Sequence, residues 1–301
     1  MSASLDSPAG SPATASLETG PFETALGPVV MTRSSAARSA RGEPVVYLHS
    51  SGGETGADSV APFLEFLAAG FDVYAPMFPG FAGSAGLDQI DDMEDAVYHC
   101  LDVFERLGLT GAQAPHVVGL SIGGWMAAEV AWRYPKAVRS LTLVSAPGIY
   151  VPEHPMSELF GRRFDELAEE TFADQSHPVA AMMHQMASLT LAGAATEIPF
   201  ELIRPFFESM AAAAKLAWNP YFHNPKLPRR LGRVSSPTLV IAGRLDGLVP
   251  FQTSEAYARL IPGAALEIWD DASHMIPLEQ PERLAARVAA HIGQALAAER
   301  A

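Results

Sequence analysis

The five residues Gly119-Leu120-Ser121-Ile122-Gly123 stand between an apolar run, His116-Val117-Val118, and a helix-forming run from Gly124 to Tyr134. A chain that passes from strand to helix through G-x-S-x-G must turn sharply. The serine at the apex is then held in strained backbone geometry with its hydroxyl pointed into a cleft. Glycines flank it because a β-carbon at those positions would clash. Ser121 therefore reads as a nucleophile. A hydroxyl attacks poorly at neutral pH, so the reading requires a base to take its proton and an acid to orient the base.

Both follow in the chain. Asp246 lies in Gly243-Arg244-Leu245-Asp246-Gly247-Leu248-Val249-Pro250, directly after the β-branched run Thr238-Leu239-Val240-Ile241, and so falls just past the end of a strand. A second strand-like stretch, Ala265-Leu266-Glu267-Ile268-Trp269, leads to Ala272-Ser273-His274-Met275-Ile276-Pro277, which puts His274 in a loop before the last helix. The order Ser, Asp, His, with each member at the C-terminal edge of a parallel sheet, resembles the α/β-hydrolase superfamily from about Ala25 to Ala297. Pro79-Gly80-Phe81-Ala82-Gly83-Ser84 and Leu278-Glu279-Gln280-Pro281 are similar to architectural segments of that superfamily. In this reading His274 is the general base, and Asp246 fixes its tautomer and steadies the imidazolium.

A tetrahedral intermediate also needs donors for its oxyanion. One is expected at the backbone N–H of Ile122, at the start of a helix where amides lack intrahelical partners. The resemblance places the second in the loop after Leu48, where His49-Ser50-Ser51-Gly52-Gly53 carries serine at a position usually occupied by glycine. By position, the backbone N–H of Ser51 is the second donor, Ser50 stands close enough to crowd the hole or add a hydrogen bond, and His49 orients the loop.

Strand-like and helix-like segments alternate through the first half. Pro28-Val29-Val30-Met31 suggests an early edge strand and Pro44-Val45-Val46-Tyr47-Leu48 a buried one. Asp58 to Ala69 reads as a helix, Phe71-Asp72-Val73-Tyr74-Ala75 as a strand, Asp91 to Leu107 as an amphipathic helix, and Val138 to Val144 as a strand. Such alternation with β-branched strand cores predicts an α/β fold, a mainly parallel sheet with helices on both faces. The core is expected over residues 23–146 and 234–301, with residues 147–233 inserted as a helical cap and residues 1–22, mostly Ser, Ala, Pro, Thr and Gly, as a disordered leader.

The cap has helix-length segments at Glu158 to Thr171, Val179 to Leu191 and Glu201 to Leu216, rich in Met and aromatic residues. Residues of that kind pack more often than they bind, but together they favour an apolar substrate. Ser50, Met182, Met186, Phe206, Met210, Trp218 and Met275 are the expected pocket residues. The final helix shows an apolar face at Leu284, Val288, Ile292 and Leu296.

A net charge of −14 repels phosphate backbones and anionic lipid, which excludes nucleic-acid and membrane-surface partners from the expectation and leaves a small-molecule substrate. No segment approaches the roughly 18 apolar residues of a membrane span, and the start lacks the basic and apolar character of a secretory signal. The single cysteine, Cys100, suits a reducing compartment, and a cytoplasmic location is expected. No cofactor and no metal are expected: Asp88, Asp91, Asp92, Glu94 and Asp95 crowd a helix start, where the dipole favours acids. His154, His177, His184 and His223 lack zinc-ligand spacing. Asp270 and Asp271 stand too close to His274 in sequence to orient it.

The resemblance, in its serine-nucleophile branch, implies a hydrolase acting on a small, apolar carboxylic ester or thioester through an acyl-enzyme. Aspartate-nucleophile branches, the haloalkane dehalogenases and epoxide hydrolases, need a carboxylate where Ser121 stands. C–C bond hydrolases and cofactor-free perhydrolases or haloperoxidases use the same triad, although Met275 replaces a tryptophan that C–C hydrolases often carry. A small-molecule receptor with residual hydrolase activity is the reading from another class. In a third, the triad is a relic on a protein-binding surface.

Overall fold

The central strands are buried on both sides, and the alternation of their side chains decides which helices cover which face. The computed structural model describes residues 16–34, 42–52, 60–194 and 199–300. Its strands are β1 (Leu17–Thr24), β2 (Gly27–Ser34), β3 (Pro44–Leu48), β4 (Asp72–Pro76), β5 (His116–Leu120), β6 (Ser140–Val144), β7 (Thr238–Gly243) and β8 (Ala265–Trp269). They form one sheet in the order β1-β2-β4-β3-β5-β6-β7-β8. Pairing is parallel from β4 through β8 and antiparallel where β2 meets β1 and β4. Parallel neighbours need crossovers long enough to hold a helix, which is why helices separate them.

Val46, Leu48, Val117, Leu141, Leu143 and Val240 project to one face, where α2 (Met93–Arg106), α3 (Ile122–Arg133) and α7 (Phe251–Leu260) cover them. The alternate residues Val45, Tyr47, Val118, Leu120, Leu239 and Ile241 meet α1 (Ala61–Ala68) and α9 (Pro281–Glu299) on the other. Leu284, Val288 and Ile292 of α9 are buried in that second layer, on the stripe expected from the sequence. The architecture is the expected α/β fold with a mainly parallel sheet.

Several boundaries differ from expectation; α1 begins at Ala61, and Asp58 and Ser59 of the expected helix lie outside the described residues. β1 begins at Leu17, so residues 17–22 of the expected leader are strand; residues 1–15 lie outside the described residues. An edge strand needs one partner and little apolar content, and β1 pairs with β2 along its whole length. That pairing moves the Pro28 to Met31 segment inward, so β2 is flanked on both sides instead of forming the edge. The first cap helix is shorter than expected, α4 (Phe164–Thr171), because Glu158 turns the chain first: its Oε1 accepts from the amides of Phe160 (2.6 Å) and Gly161 (3.2 Å).

Between β6 and β7 the described residues contain helices and no strand: α4, α5 (Pro178–Leu191) and α6 (Phe200–Ala217). The two ends of this segment meet. The Gly148 amide donates to the Phe222 carbonyl (2.9 Å), and the Asn224 amide to that of Gly148 (3.0 Å). Asn224 Nδ2 then donates to Glu129 Oε1 (2.8 Å), a fully buried carboxylate on α3 that also accepts from the indoles of Trp125 (3.0 Å) and Trp132 (2.6 Å) and pairs with Arg133. A buried charge persists only when its lone pairs are filled in this way.

Candidate active site

Ser121 occupies the turn between β5 and α3 with φ 54° and ψ −125°, in the region that side chains seldom adopt. Close packing imposes this geometry. A Cβ on Gly123 would collide with the Leu48 carbonyl and lie 2.5 Å from that of His49, and one on Gly119 would meet Gly123 and lie 2.6 Å from the Gly124 Cα. The glycines let α3 start against β3 and β5, and the Ser121 amide is tied to the Val144 carbonyl at 2.9 Å.

Asp246 follows β7 and His274 follows β8, and the two meet: His274 Nδ1 is 2.8 Å from Asp246 Oδ2, with both side chains buried. The other oxygen, Oδ1, accepts from the amides of Leu248 (3.0 Å) and Val249 (2.8 Å), so the carboxylate is held from two sides. This leaves Nε2 as the ring nitrogen of His274 that Asp246 does not engage. Ser121 and His274 border the same cavity. No hydrogen bond joins Ser121 Oγ to His274 among the described residues.

The loop after β3 is built around His49. The Phe78 amide donates to Nε2 (3.0 Å), so the ring proton sits on Nδ1, which donates to the Ser50 carbonyl at 2.7 Å. Phe78 and Phe81 flank the ring at centroid distances of 4.7 and 4.6 Å. Burial pushes the His49 pKa down to about 4, only partly offset by the Ser50 carbonyl, so the residue is a neutral strut for the loop. Ser50 and Ser51 line the cavity beside Ser121, with Ser50 Oγ accepting from the Gly52 amide (3.2 Å); Gly53 lies outside the described residues. Ile122 opens α3, where its amide has no acceptor within the helix.

The cavity measures about 400 Å³. Each of the three helices between β6 and β7 contributes one stripe at helical spacing: Phe164, Leu167 and Thr171 from α4, Val179, Met182, Met183 and Met186 from α5, and Ile203, Phe206 and Met210 from α6. Met275 and Leu278 enter from beyond His274, and Leu248 from beyond Asp246. Of the expected pocket residues, Ser50, Met182, Met186, Phe206, Met210 and Met275 line the cavity, and Trp218 does not. Trp218 is 61% exposed, its ring 5.6 Å from that of Phe160, because the end of α6 turns it outward. The i, i+3, i+7 spacing of Phe164, Leu167 and Thr171 was present in the sequence and could have identified them.

The set-aside features have structural partners. Asp92 caps α2, its Oδ1 accepting from the amides of Glu94 (2.7 Å) and Asp95 (3.2 Å). Asp270 pairs with Arg244, and Asp271 with Arg283 at 2.8 Å, both on the exposed surface. Cys100 is buried with its Sγ 3.3 Å from Met126 Sδ, and burial pushes its thiol pKa far up. Among the described residues no cluster of His, Cys, Asp or Glu could hold a metal ion. No helix of the described residues is long and apolar enough to cross a membrane.

Residues 43–281 match the family model described as alpha/beta hydrolase fold, and the chain belongs to that family. It is similar to a 2-hydroxymuconate semialdehyde hydrolase from Pseudomonas putida, 28% identical over 84% of this chain and 88% of that protein. It is 26% identical, over 83% of its length, to a dihydrolipoyllysine-residue acetyltransferase component of an acetoin cleaving system from Cupriavidus necator. That alignment spans 64% of the Cupriavidus protein, less than two thirds. Among solved structures, the 2-hydroxy-6-oxo-6-phenylhexa-2,4-dienoate hydrolase from Rhodococcus sp. strain RHA1 superposes with a TM-score of 0.73, covering 93% of this chain and 99% of that one at 22% identity. The chain is thus a hydrolase of the α/β fold.

Proposed function

We propose that this hydrolase cleaves a small carboxylic ester or thioester with an apolar acyl or alcohol portion, through an acyl-enzyme on Ser121. His274, oriented by Asp246, takes the hydroxyl proton as Ser121 attacks the carbonyl carbon. The amides of Ile122 and Ser51 receive the negative charge that develops on the carbonyl oxygen. The imidazolium then protonates the leaving alcohol or thiol, and His274 activates water for deacylation.

One observation carries the choice of substrate. No described residue lining the cavity is an aspartate, glutamate, lysine or arginine, and none is an asparagine or glutamine. The polar groups gather at the Ser121 end, and the remainder is aliphatic, thioether or aromatic. Burying an unpaired carboxylate costs several kcal/mol, so a neutral ester suits this lining better than an anion.

The names of the relatives favour a second reading, the hydrolysis of a C–C bond in a dienoate, with the same triad. A panel of p-nitrophenyl esters from acetate to octanoate, run beside 2-hydroxy-6-oxo-6-phenylhexa-2,4-dienoate on wild type and Ser121→Ala, separates the two. The ester reading expects turnover that rises with acyl length and disappears in Ser121→Ala. Faster turnover of the dienoate than of any ester would select the C–C reading, and tight binding without turnover would select a receptor.

A further inference from the structure

The last turn of α4 holds both catalytic loops through its backbone. The Glu170 carbonyl accepts from the Gly247 amide at 2.9 Å, next to Asp246, and from Ser273 Oγ at 3.3 Å. The Thr171 carbonyl accepts from the amides of His274 (3.1 Å) and Met275 (3.0 Å). These carbonyls are free because helix ends leave their final acceptors unpaired. What keeps them aimed at the loops is the connection that follows them.

That connection is anchored by a single side chain. Glu279 closes the short helix α8 (Ile276–Glu279) just beyond His274, and its Oε1 accepts from the amides of Ala173 and Asp174, each at 2.8 Å. Its Oε2 is buried without a hydrogen-bond partner. Burial pushes the Glu279 pKa up, against the pull of the Asp174 and Ala173 amides. The intervening residues form a stiff link. Gln175 Nε2 donates to the carbonyls of Phe172 (2.6 Å) and Ala168 (3.1 Å), and the Phe172 ring stacks on His177 at 5.0 Å. A closed circuit results, running from His274 through α8 to Glu279, across to Ala173 and Asp174, and back through Thr171 to His274. Thr171 and Phe172 also line the cavity, so whatever fills the cavity presses on this circuit.

We propose that Glu279 is a positioning residue: by clamping the α4–α5 turn it couples the seating of the cap helices to the placement of the His274 imidazole. The inference rests on His274 being the base of the proposed reaction. An apolar residue would fill the same volume at lower desolvation cost, so a half-buried carboxylate here is explained by the two amides it holds.

The test compares Glu279→Ala, Glu279→Gln and Glu279→Asp with wild type in three readouts. These are the rate of Ser121 labelling by a fluorophosphonate, kcat and KM on p-nitrophenyl butyrate, and amide hydrogen exchange over residues 172–175 and 273–275. Glu279→Ala should lose about ten- to a hundredfold in labelling rate and kcat, the scale of a small misplacement of a catalytic group, while KM changes far less. Exchange should quicken at both segments together. Glu279→Gln keeps the Oε1 acceptor and should recover most of the loss. Glu279→Asp keeps the charge but withdraws the acceptor by one methylene and should not, and this pair decides the matter should the alanine variant fail to fold. A folded Glu279→Ala that labels at the wild-type rate overturns the proposal, as does faster exchange at 172–175 with 273–275 unchanged. Failure of wild type to turn over any ester would count against the ester reading alone, because labelling and exchange report on the circuit without a substrate.

Discussion

Ser121 stands in a backbone conformation that costs a non-glycine residue of order 1–3 kcal/mol, and its neighbours hold it there. Gly123 is the clearest case. Its missing side chain is the space through which the carbonyls of Leu48 and His49 approach, and those are backbone atoms that cannot swing aside. Gly123→Ala should therefore destabilise the fold by at least about 1–3 kcal/mol and remove fluorophosphonate labelling. A urea midpoint and labelling rate like those of wild type would show that the turn is looser than the packing implies. Asp246→Asn should lower turnover by up to about 10⁴-fold with little change in KM, since an amide can stabilise the wrong imidazole tautomer. Near-normal turnover would remove Asp246 from the triad. The pattern around Ser121 was legible because a strand-to-helix turn is a short motif, although the Leu48 and His49 carbonyls that require Gly123 lie far off in the chain. The Glu279 clamp was not, because nothing in Leu278-Glu279-Gln280-Pro281 indicates which amides its carboxylate meets.

The helices between β6 and β7 divide their work by face. α5 places Met186 against the cavity, and unbranched methionines adapt to varied ligand shapes at little strain. Met186→Trp would fill the apolar end of the cavity, and kcat/KM for p-nitrophenyl octanoate should fall by at least about tenfold relative to acetate. An unchanged ratio would mean that acyl chains lie elsewhere. On the opposite layer, Leu284 of α9 is fully buried beneath the sheet, and Leu284→Ala should cost about 2–5 kcal/mol in chemical denaturation. Helix and strand positions in the core were readable from period alone, since burial on one or both sides imprints the pattern. Trp218 shows the limit. It continues the apolar composition of α6, yet the helix ends by turning it to solvent, and composition carries no direction.

Across the whole molecule, burial of neutral imidazoles sets the response to acid. His49, His99 and His116 have pKa values lowered to about 4, in each case chiefly by burial. The unfolded chain binds protons near pH 6.5 and the folded one only near 4, so these groups leave stability intact above about pH 6.5. They withdraw it as the pH falls from there to about 4. His99 isolates the effect, because it is 3% exposed and neither ring nitrogen has a hydrogen-bond partner. His99→Leu should be neutral or stabilising at pH 7.5 and should flatten the decline of the urea midpoint between pH 6.5 and 4. Parallel curves for the two proteins would show that His99 takes up its proton without opposing the fold.

The sequence alone determined the class of fold, the strand and helix order of the core, and which serine, carboxylate and imidazole to examine. Fold class and element order follow from the period that burial imposes, and the three side chains from short motifs whose order resembles the superfamily. Tertiary structure decided the rest: that β1 extends the sheet beyond β2, that Trp218 leaves the pocket, and that α4 bonds to the loops carrying Asp246 and His274 while Glu279 bonds to the turn after α4. The β1–β2 hairpin is local in the chain, but the contacts of α4 and Glu279 depend on which surfaces meet once distant segments have folded together. Meeting of that kind joins residues about a hundred positions apart, such as Ala173 and Glu279, and no local pattern encodes it.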